Sequence, residues 1–193
     1  VQLRRTDILD AARELIDADG LDEFSARKLA AALKVTPGDL QWHFPDRQSL
    51  LEALAEDLMA GVGEPPPAGP WDRRLITLAH RLRRALLGLR DGARLLSGTF
   101  VTEPNTLRAA RTGTRVLIEA GLPPDQAAWT VLAITHYIVG HVIEEQSVRP
   151  KLPADLSGVD DLNRELAATV TADPARRFEF GLGLLIDGIR RLF

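Results

Sequence analysis

Ser25-Ala26-Arg27-Lys28-Leu29-Ala30-Ala31-Ala32-Leu33-Lys34-Val35-Thr36-Pro37-Gly38-Asp39-Leu40-Gln41-Trp42-His43-Phe44 is the stretch on which the reading of this chain turns. Ser25 suits the N-cap of a helix running through Ala32, because its hydroxyl can accept from an otherwise free amide of the first turn. Leu33, Lys34 and Val35 then fit a short turn. Thr36 caps a second helix with Pro37 at its first position and Asp39 at its third, a T-x-x-D capping box. That helix runs from Pro37 to His43 before Pro45 ends it. Helix, three-residue turn and short capped helix give the spacing of a helix-turn-helix, although ordinary helical hairpins share it.

The side chains of the second helix suit the major groove of DNA, with its N-terminal end, Thr36 to Asp39, towards the bases. Thr36 and Gln41 can bond to base edges or phosphate, Trp42 and His43 can contact the backbone, and Arg27 and Arg47 can bind phosphate. Pro37 and Gly38 add little bulk there. Asp39 either accepts from a cytosine amino group or caps its own helix. Charge is less favourable: Val1 to Leu50 holds seven basic and nine acidic residues. Most of the acid lies between Asp7 and Glu23, on a segment that can face away from DNA. This balance permits specific binding and predicts weak non-specific affinity, which depends on phosphate neutralisation.

Outward from this stretch, apolar residues recur at helical spacing almost everywhere in the 193 residues. Ile8, Leu9, Ala12, Leu15 and Ile16 draw one stripe, stopped at Gly20. Leu50, Leu51, Leu54, Ala55 and Leu58 draw another, after Asp46 as N-cap. Leu75, Leu78, Leu82, Leu86 and Leu89 draw a third, with Arg73, Arg74, Arg81 and Arg84 mostly off it. Further helices are expected near Pro104–Ala120, Pro124–Ser147, Asp161–Val170 and Pro174–Phe193. No segment alternates at period two, so the fold is read as all-α. Gly61 to Pro70 cannot continue a helix and marks the boundary between a small head and a longer body. The expected division is 1–45 for the head, 46–62 for a connecting helix, 63–70 for a linker and 71–193 for the body. So small a head is expected to lean on the body.

Composition sets the outer limits. The net charge is -3 and apolar residues make up 45%, which supports a substantial core. With no cysteine there is no disulfide framework, thiolate metal site or cysteine nucleophile. No apolar run is long enough for a membrane span, and the charges between Val1 and Asp10 do not suit a secretory signal. A cytoplasmic location is expected.

Phe24-Ser25-Ala26-Arg27-Lys28-Leu29-Ala30, Leu33-Lys34-Val35-Thr36-Pro37-Gly38-Asp39-Leu40 and Gln41-Trp42-His43-Phe44-Pro45-Asp46-Arg47-Gln48-Ser49-Leu50-Leu51 together resemble the DNA-binding heads of the TetR family of transcriptional regulators. Beyond the head, Arg83-Arg84-Ala85-Leu86-Leu87, Arg90-Asp91-Gly92-Ala93, Gly98-Thr99, His136, Gly140 and Glu144 resemble the tetracycline-repressor branch. The resemblance implies a homodimeric repressor on a palindromic double-stranded operator. Its bodies would pair through the helices near 124–147 and 174–193 into a four-helix bundle. Gly181, Gly183 and Gly188 would let another helix approach, although pattern alone allows the last helix to be buried within its own body.

Against that branch, Leu78 and Leu82 stand where it has Asn and Phe. Leu96 stands where it has its metal-binding His, and Gly63 replaces a drug-contacting His. Leucine cannot ligate magnesium, so a tetracycline–magnesium inducer is not expected. A cavity lined by Leu78, Leu82, Leu96, Phe100 and Trp129 would favour a small apolar or aromatic effector, with Thr99 and His136 as polar anchors. His136 is equally readable as a satisfied core residue. No cofactor and no metal site is expected, and no catalytic constellation stands out. Two other readings remain: a helical enzyme or metal-binding protein using Asp160, Asp161 and Glu165, and a constitutive regulator without a ligand. His141 and Glu144 lie one turn apart but lack a third metal partner.

Overall fold

A computed structural model describes residues 3–99, 104–147, 163, 165 and 173–193. Every regular element among these residues is a helix, with no strand among them. The head comprises α1 (Arg5–Asp19), α2 (Ala26–Leu33) and α3 (Pro37–His43), and α4 (Arg47–Leu58) connects it to the body. The body contains α5 (Trp71–Leu87), α6 (Gly92–Ser97), α7 (Pro104–Glu119), α8 (Pro124–Gln146) and α9 (Pro174–Ile189), which a 3-10 turn, Arg190–Leu192, extends. The expected Asp161–Val170 helix lies outside the described residues except for Asn163 and Glu165, both helical and exposed.

Local signals set most of these boundaries. Ser25 accepts from the Lys28 amide, Thr36 from that of Asp39, and Asp46 from that of Ser49. Gly20 ends α1 at a φ of 89°, a left-handed region that suits glycine. Lys34 takes the same role after α2 at φ 57° and makes the tight turn into α3. The six-residue α6 was not expected, because so short a helix shows no periodic stripe. Its place is fixed by packing: Asp91 is left-handed at φ 58°, and a Cβ on Gly92 would overlap the Leu86 carbonyl.

One continuous apolar core runs from head to body. Ile8, Ala12 and Ile16 of α1 meet Leu50, Leu54 and Leu58 of α4, and the cluster continues through Leu82 and Leu86 to Phe178 and Ile186. The head therefore leans on the body, as its size requires. Polar groups fasten the same seam at the end of α1. Asp17 accepts from the Arg90 amide at 2.8 Å, Arg90 donates to the Ala18 carbonyl at 2.7 Å, and Asp91 accepts from the Leu21 amide at 2.9 Å. Arg94 pairs with Asp22 at 2.7 Å and holds that carboxyl below the usual carboxylate range.

In the body, α8 and α9 lock through a polar cluster around Phe178. Arg83 forks onto Glu145 at 2.7 and 2.9 Å and lies over the Phe178 ring. Tyr137 donates to the Phe178 carbonyl at 2.8 Å. Gly181 makes room for it, since a Cβ there would overlap the Tyr137 hydroxyl. Gly181 thus serves contact within the chain, unlike the role expected for it. Val62 and Gly63, at the start of the irregular stretch, are buried rather than free linker. A Cβ on Gly63 would overlap the Arg108–Ala109 backbone of α7. Gly63→Ala should therefore lower the unfolding free energy by about 2 kcal/mol or more, read by denaturant titration. An unchanged midpoint would contradict this packing.

Candidate nucleic-acid interface and ligand cavity

The outer face of the head is built by α3, held to α2 and α1 through buried Leu40 and Phe44. Thr36, Pro37, Gly38, Asp39, Gln41 and Trp42 are all exposed on it, and His43 is half-buried. Trp42 is 88% exposed, the most open large apolar side chain among the described residues. A fully solvated tryptophan on a short helix contributes nothing to the core, so a surface role accounts for it better.

Asp39 takes the capping geometry. Its Oδ2 accepts from the Thr36 amide at 2.8 Å and from the Thr36 hydroxyl at 2.7 Å. These bonds hold the Asp39 carboxyl below the usual carboxylate range. The cap is therefore charged at neutral pH and is lost only as pH falls through that lowered value. The same bonds use the only hydroxyl proton of Thr36, so Thr36 cannot also donate to phosphate while the box is closed. Gln41 and Trp42 are left as the unoccupied groups of the exposed face.

The cations around α3 are unequal. Arg27 is exposed beside it. Arg47 donates to the Leu21 carbonyl at 3.2 Å and rests over Phe24, bracing the α1–α2 loop while remaining exposed. Lys28 is neutralised by Asp19 and Glu23. Arg5, not singled out from the sequence, donates to the His43 carbonyl at 3.3 Å and stacks on Phe44 at 4.2 Å, pinning the end of α3. No local sequence signal joins two residues so far apart.

Within the body, α5, α6, α7 and α8 border a partly open cavity of about 680 Å³. Leu78, Leu82, Leu96, Thr99 and His136 line it, as expected. Trp129 does not: α8 gives Val131 and Thr135 to the wall and the exposed Ala128 and Leu132 to its rim, and leaves Trp129 66% exposed. Phe100 lies outside the described residues. Unforeseen in the sequence were Met59 and Val62 after the connecting helix, and Thr106, Ala109, Ala110, Gly113 and Thr114 on α7. The run of small side chains along one face of α7 is the signal that marks this wall. Among the described residues no Lys, Arg, Asp or Glu lines the cavity, and His136 is the only titratable group of that lining. The hydroxyls of Thr99 and Thr135 donate to backbone carbonyls of their own helices, so they face the cavity chiefly as acceptors.

A second apolar surface lies open. Trp129 and Leu132 of α8 and Phe180 (71% exposed) and Leu184 of α9 face outward, while Phe178, Leu182, Ile186 and Ile189 turn inward. Around Gly140, Gly183 and Gly188 an added Cβ would meet nothing. The last helix is thus buried on one face and unpartnered on the other.

The remaining candidates are absorbed elsewhere or fall outside the described residues. His141 contacts the Pro174 carbonyl at 3.0 Å, and Glu144 pairs with Arg177 at 2.6 Å, so both serve the α8–α9 contact. Asp160 and Asp161 lie outside the described residues, and Glu165 is exposed. Among the described residues no group of three His, Asp or Glu could hold a metal ion, and no helix is long and apolar enough to cross a membrane.

Two family models cover most of the chain. Residues 8–54 match the bacterial regulatory proteins of the tetR family, and residues 64–193 match the tetracyclin repressor-like C-terminal domain. The chain is 37% identical to the tetracycline repressor protein class G of Vibrio anguillarum, over 99% of this chain and 95% of that protein. A possible TetR family transcriptional regulator from Streptomyces coelicolor A3(2) superposes with a TM-score of 0.86 at 37% identity, over 98% and 100% of the two chains. BioQ of Mycobacterium smegmatis superposes with a TM-score of 0.79 at 29% identity, and BioQ solved with its double-stranded DNA operator with a TM-score of 0.76 at 28%, each over 97% of this chain and 98% of the other. With an exposed capped helix on the head, a cavity in the body and matches along nearly its whole length, this chain belongs to the TetR family of bacterial transcriptional regulators.

Proposed function

We propose that the chain is a cytoplasmic repressor, not an enzyme, which binds a palindromic operator as a homodimer and releases it when a small uncharged effector fills the body. The observation that carries this reading is a cavity of about 680 Å³ whose described lining holds no Lys, Arg, Asp or Glu, beneath a head whose exposed helix offers Gln41 and Trp42. In it, Thr36, Pro37, Gly38, Asp39, Gln41, Trp42 and His43 form the DNA-facing surface and Arg27 and Arg47 meet phosphate. Residues 1–45 act as the head, 46–62 connect, 63–70 link and 71–193 bind ligand and partner. The second copy covers Trp129, Leu132, Phe180 and Leu184, completing a four-helix bundle from α8 and α9. Both recognition helices then reach successive major grooves about 34–36 Å apart.

The effector is apolar or aromatic, contacting Leu78, Leu82 and Leu96, with Thr99 and His136 offering acceptors to its polar groups. A tetracycline–magnesium chelate does not suit this reading, because Leu96 lines the cavity where the resemblance places the metal-binding His, and leucine cannot ligate magnesium. Ligand weakens DNA binding only through its preference for one head separation over the other.

A gel shift with the DNA flanking its own gene tests the operator reading. Gln41→Ala and Trp42→Ala should each weaken binding about tenfold or more, while overall stability stays unchanged. Absence of binding, or indifference to both changes, would sink it. The cavity is tested with two fluorophores of one aromatic core, neutral N-phenyl-1-naphthylamine and anionic 1-anilinonaphthalene-8-sulfonate. The neutral probe should bind at least about tenfold more tightly, since burying an unpaired charge is costly, and Ala109→Trp should abolish its binding. Equal affinities, unmoved by that substitution, would contradict the assignment.

A further inference from the structure

The N-terminus of α7, the wall of small side chains, is held by a residue of the connecting helix. One carboxylate oxygen of Glu56 accepts from the Asn105 amide at 2.6 Å. The other accepts from the Thr106 amide at 3.2 Å and from the Thr106 hydroxyl at 3.1 Å. The Asn105 side chain donates back to the Glu56 carbonyl at 3.2 Å. The first amides of a helix have no partner within it, and the helix dipole favours an anion there. Glu56 supplies both from another element, half-buried, with charge-assisted bonds.

The attachment continues beyond this point. Thr112 donates to the Gly63 carbonyl at 2.8 Å, and Gly63 lies against the Arg108–Ala109 backbone. On the head side of α4, Asp57 forms an ion pair with Arg13 of α1, and Leu54 and Leu58 share the core of that helix. A line of direct contacts therefore runs from the cavity wall at Thr106, Ala109 and Gly113 through Glu56 to the head.

We propose that Glu56 is the positioning residue through which occupancy of the cavity reaches the DNA-binding head. A ligand that shifts α7 moves Asn105 and Thr106, and their bonds to Glu56 carry that shift into α4. Apolar side chains can slide over one another at little cost, whereas four hydrogen bonds to one residue fix the register between two helices. The proposal rests on the effector-responsive reading above and adds how the signal leaves the cavity.

A ligand-free double-mutant cycle on the full chain tests it. Gly113→Val crowds the α7–α8 contact without any effector, since its first added carbon would sit 3.1 Å from the Val131 side chain and its two methyls add to that bulk. Operator affinity should fall about tenfold in Gly113→Val, and less than about twofold when Glu56→Ala is also present. Glu56→Ala alone should leave affinity within about twofold of the parent. Glu56→Gln keeps the size and one acceptor; it should remove more than half of the coupling and decides the matter if the alanine variant fails to fold. Equal losses with and without Glu56, or no loss in either background, would overturn the proposal. Amide hydrogen exchange across residues 47–58 is followed in the same proteins. If the parent binds none of the flanking DNA, the repressor reading fails. The role of Glu56 then stands if Gly113→Val alters exchange in 47–58 only when Glu56 is present, and falls otherwise.

Discussion

The connecting helix α4 belongs to two cores at once, and the rest of the molecule depends on that sharing. Three short helices cannot bury enough surface to stand alone. Leu50, Leu54 and Leu58 complete the head from below, while the same cluster continues into α5 and α9. The arginines and aspartates around Leu21, Asp22, Arg90, Asp91 and Arg94 close the seam on its polar side. A head built this way cannot ignore the body: any change in how α4 lies is a change in where α3 points. Sensitivity to a distant cavity thus follows from the size of the head before any specific device is added.

The chemistry of the two candidate surfaces is correspondingly spare. On the head, α3 carries no lysine or arginine, its one aspartate is spent on the capping box, and nearby Lys28 is already paired. Affinity for DNA must then come from shape and from a few exposed groups rather than from a cationic field. The body follows the same economy. Among the described residues its cavity lining is mostly leucine, alanine, valine and threonine, with one imidazole.

Much of this was legible in the sequence because helix boundaries are written locally. A cap is a bond between residues three apart, so Ser25, Thr36, Asp46 and Gly20 announce their roles without knowledge of the fold. Periodicity likewise identified the inward residues of α1, α4 and α5, whereas the family resemblance pointed to the leucines that line the cavity. Pattern stops at the relative rotation of helices. Trp129 and His136 lie two turns apart on α8, yet only His136 reaches the cavity rim. The six residues of α6 are too few for a stripe.

The sequence by itself determined that the chain is helical, where most helices begin, and that a capped short helix follows a tight turn at Lys34. These depend on torsions and hydrogen bonds within a few residues. Only the tertiary structure decided which face of α9 is free, that Arg47 braces the Leu21 loop, and that Glu56 caps a helix 49 positions away. Those outcomes depend on how rigid helices pack against one another, and no neighbour in the chain carries that information.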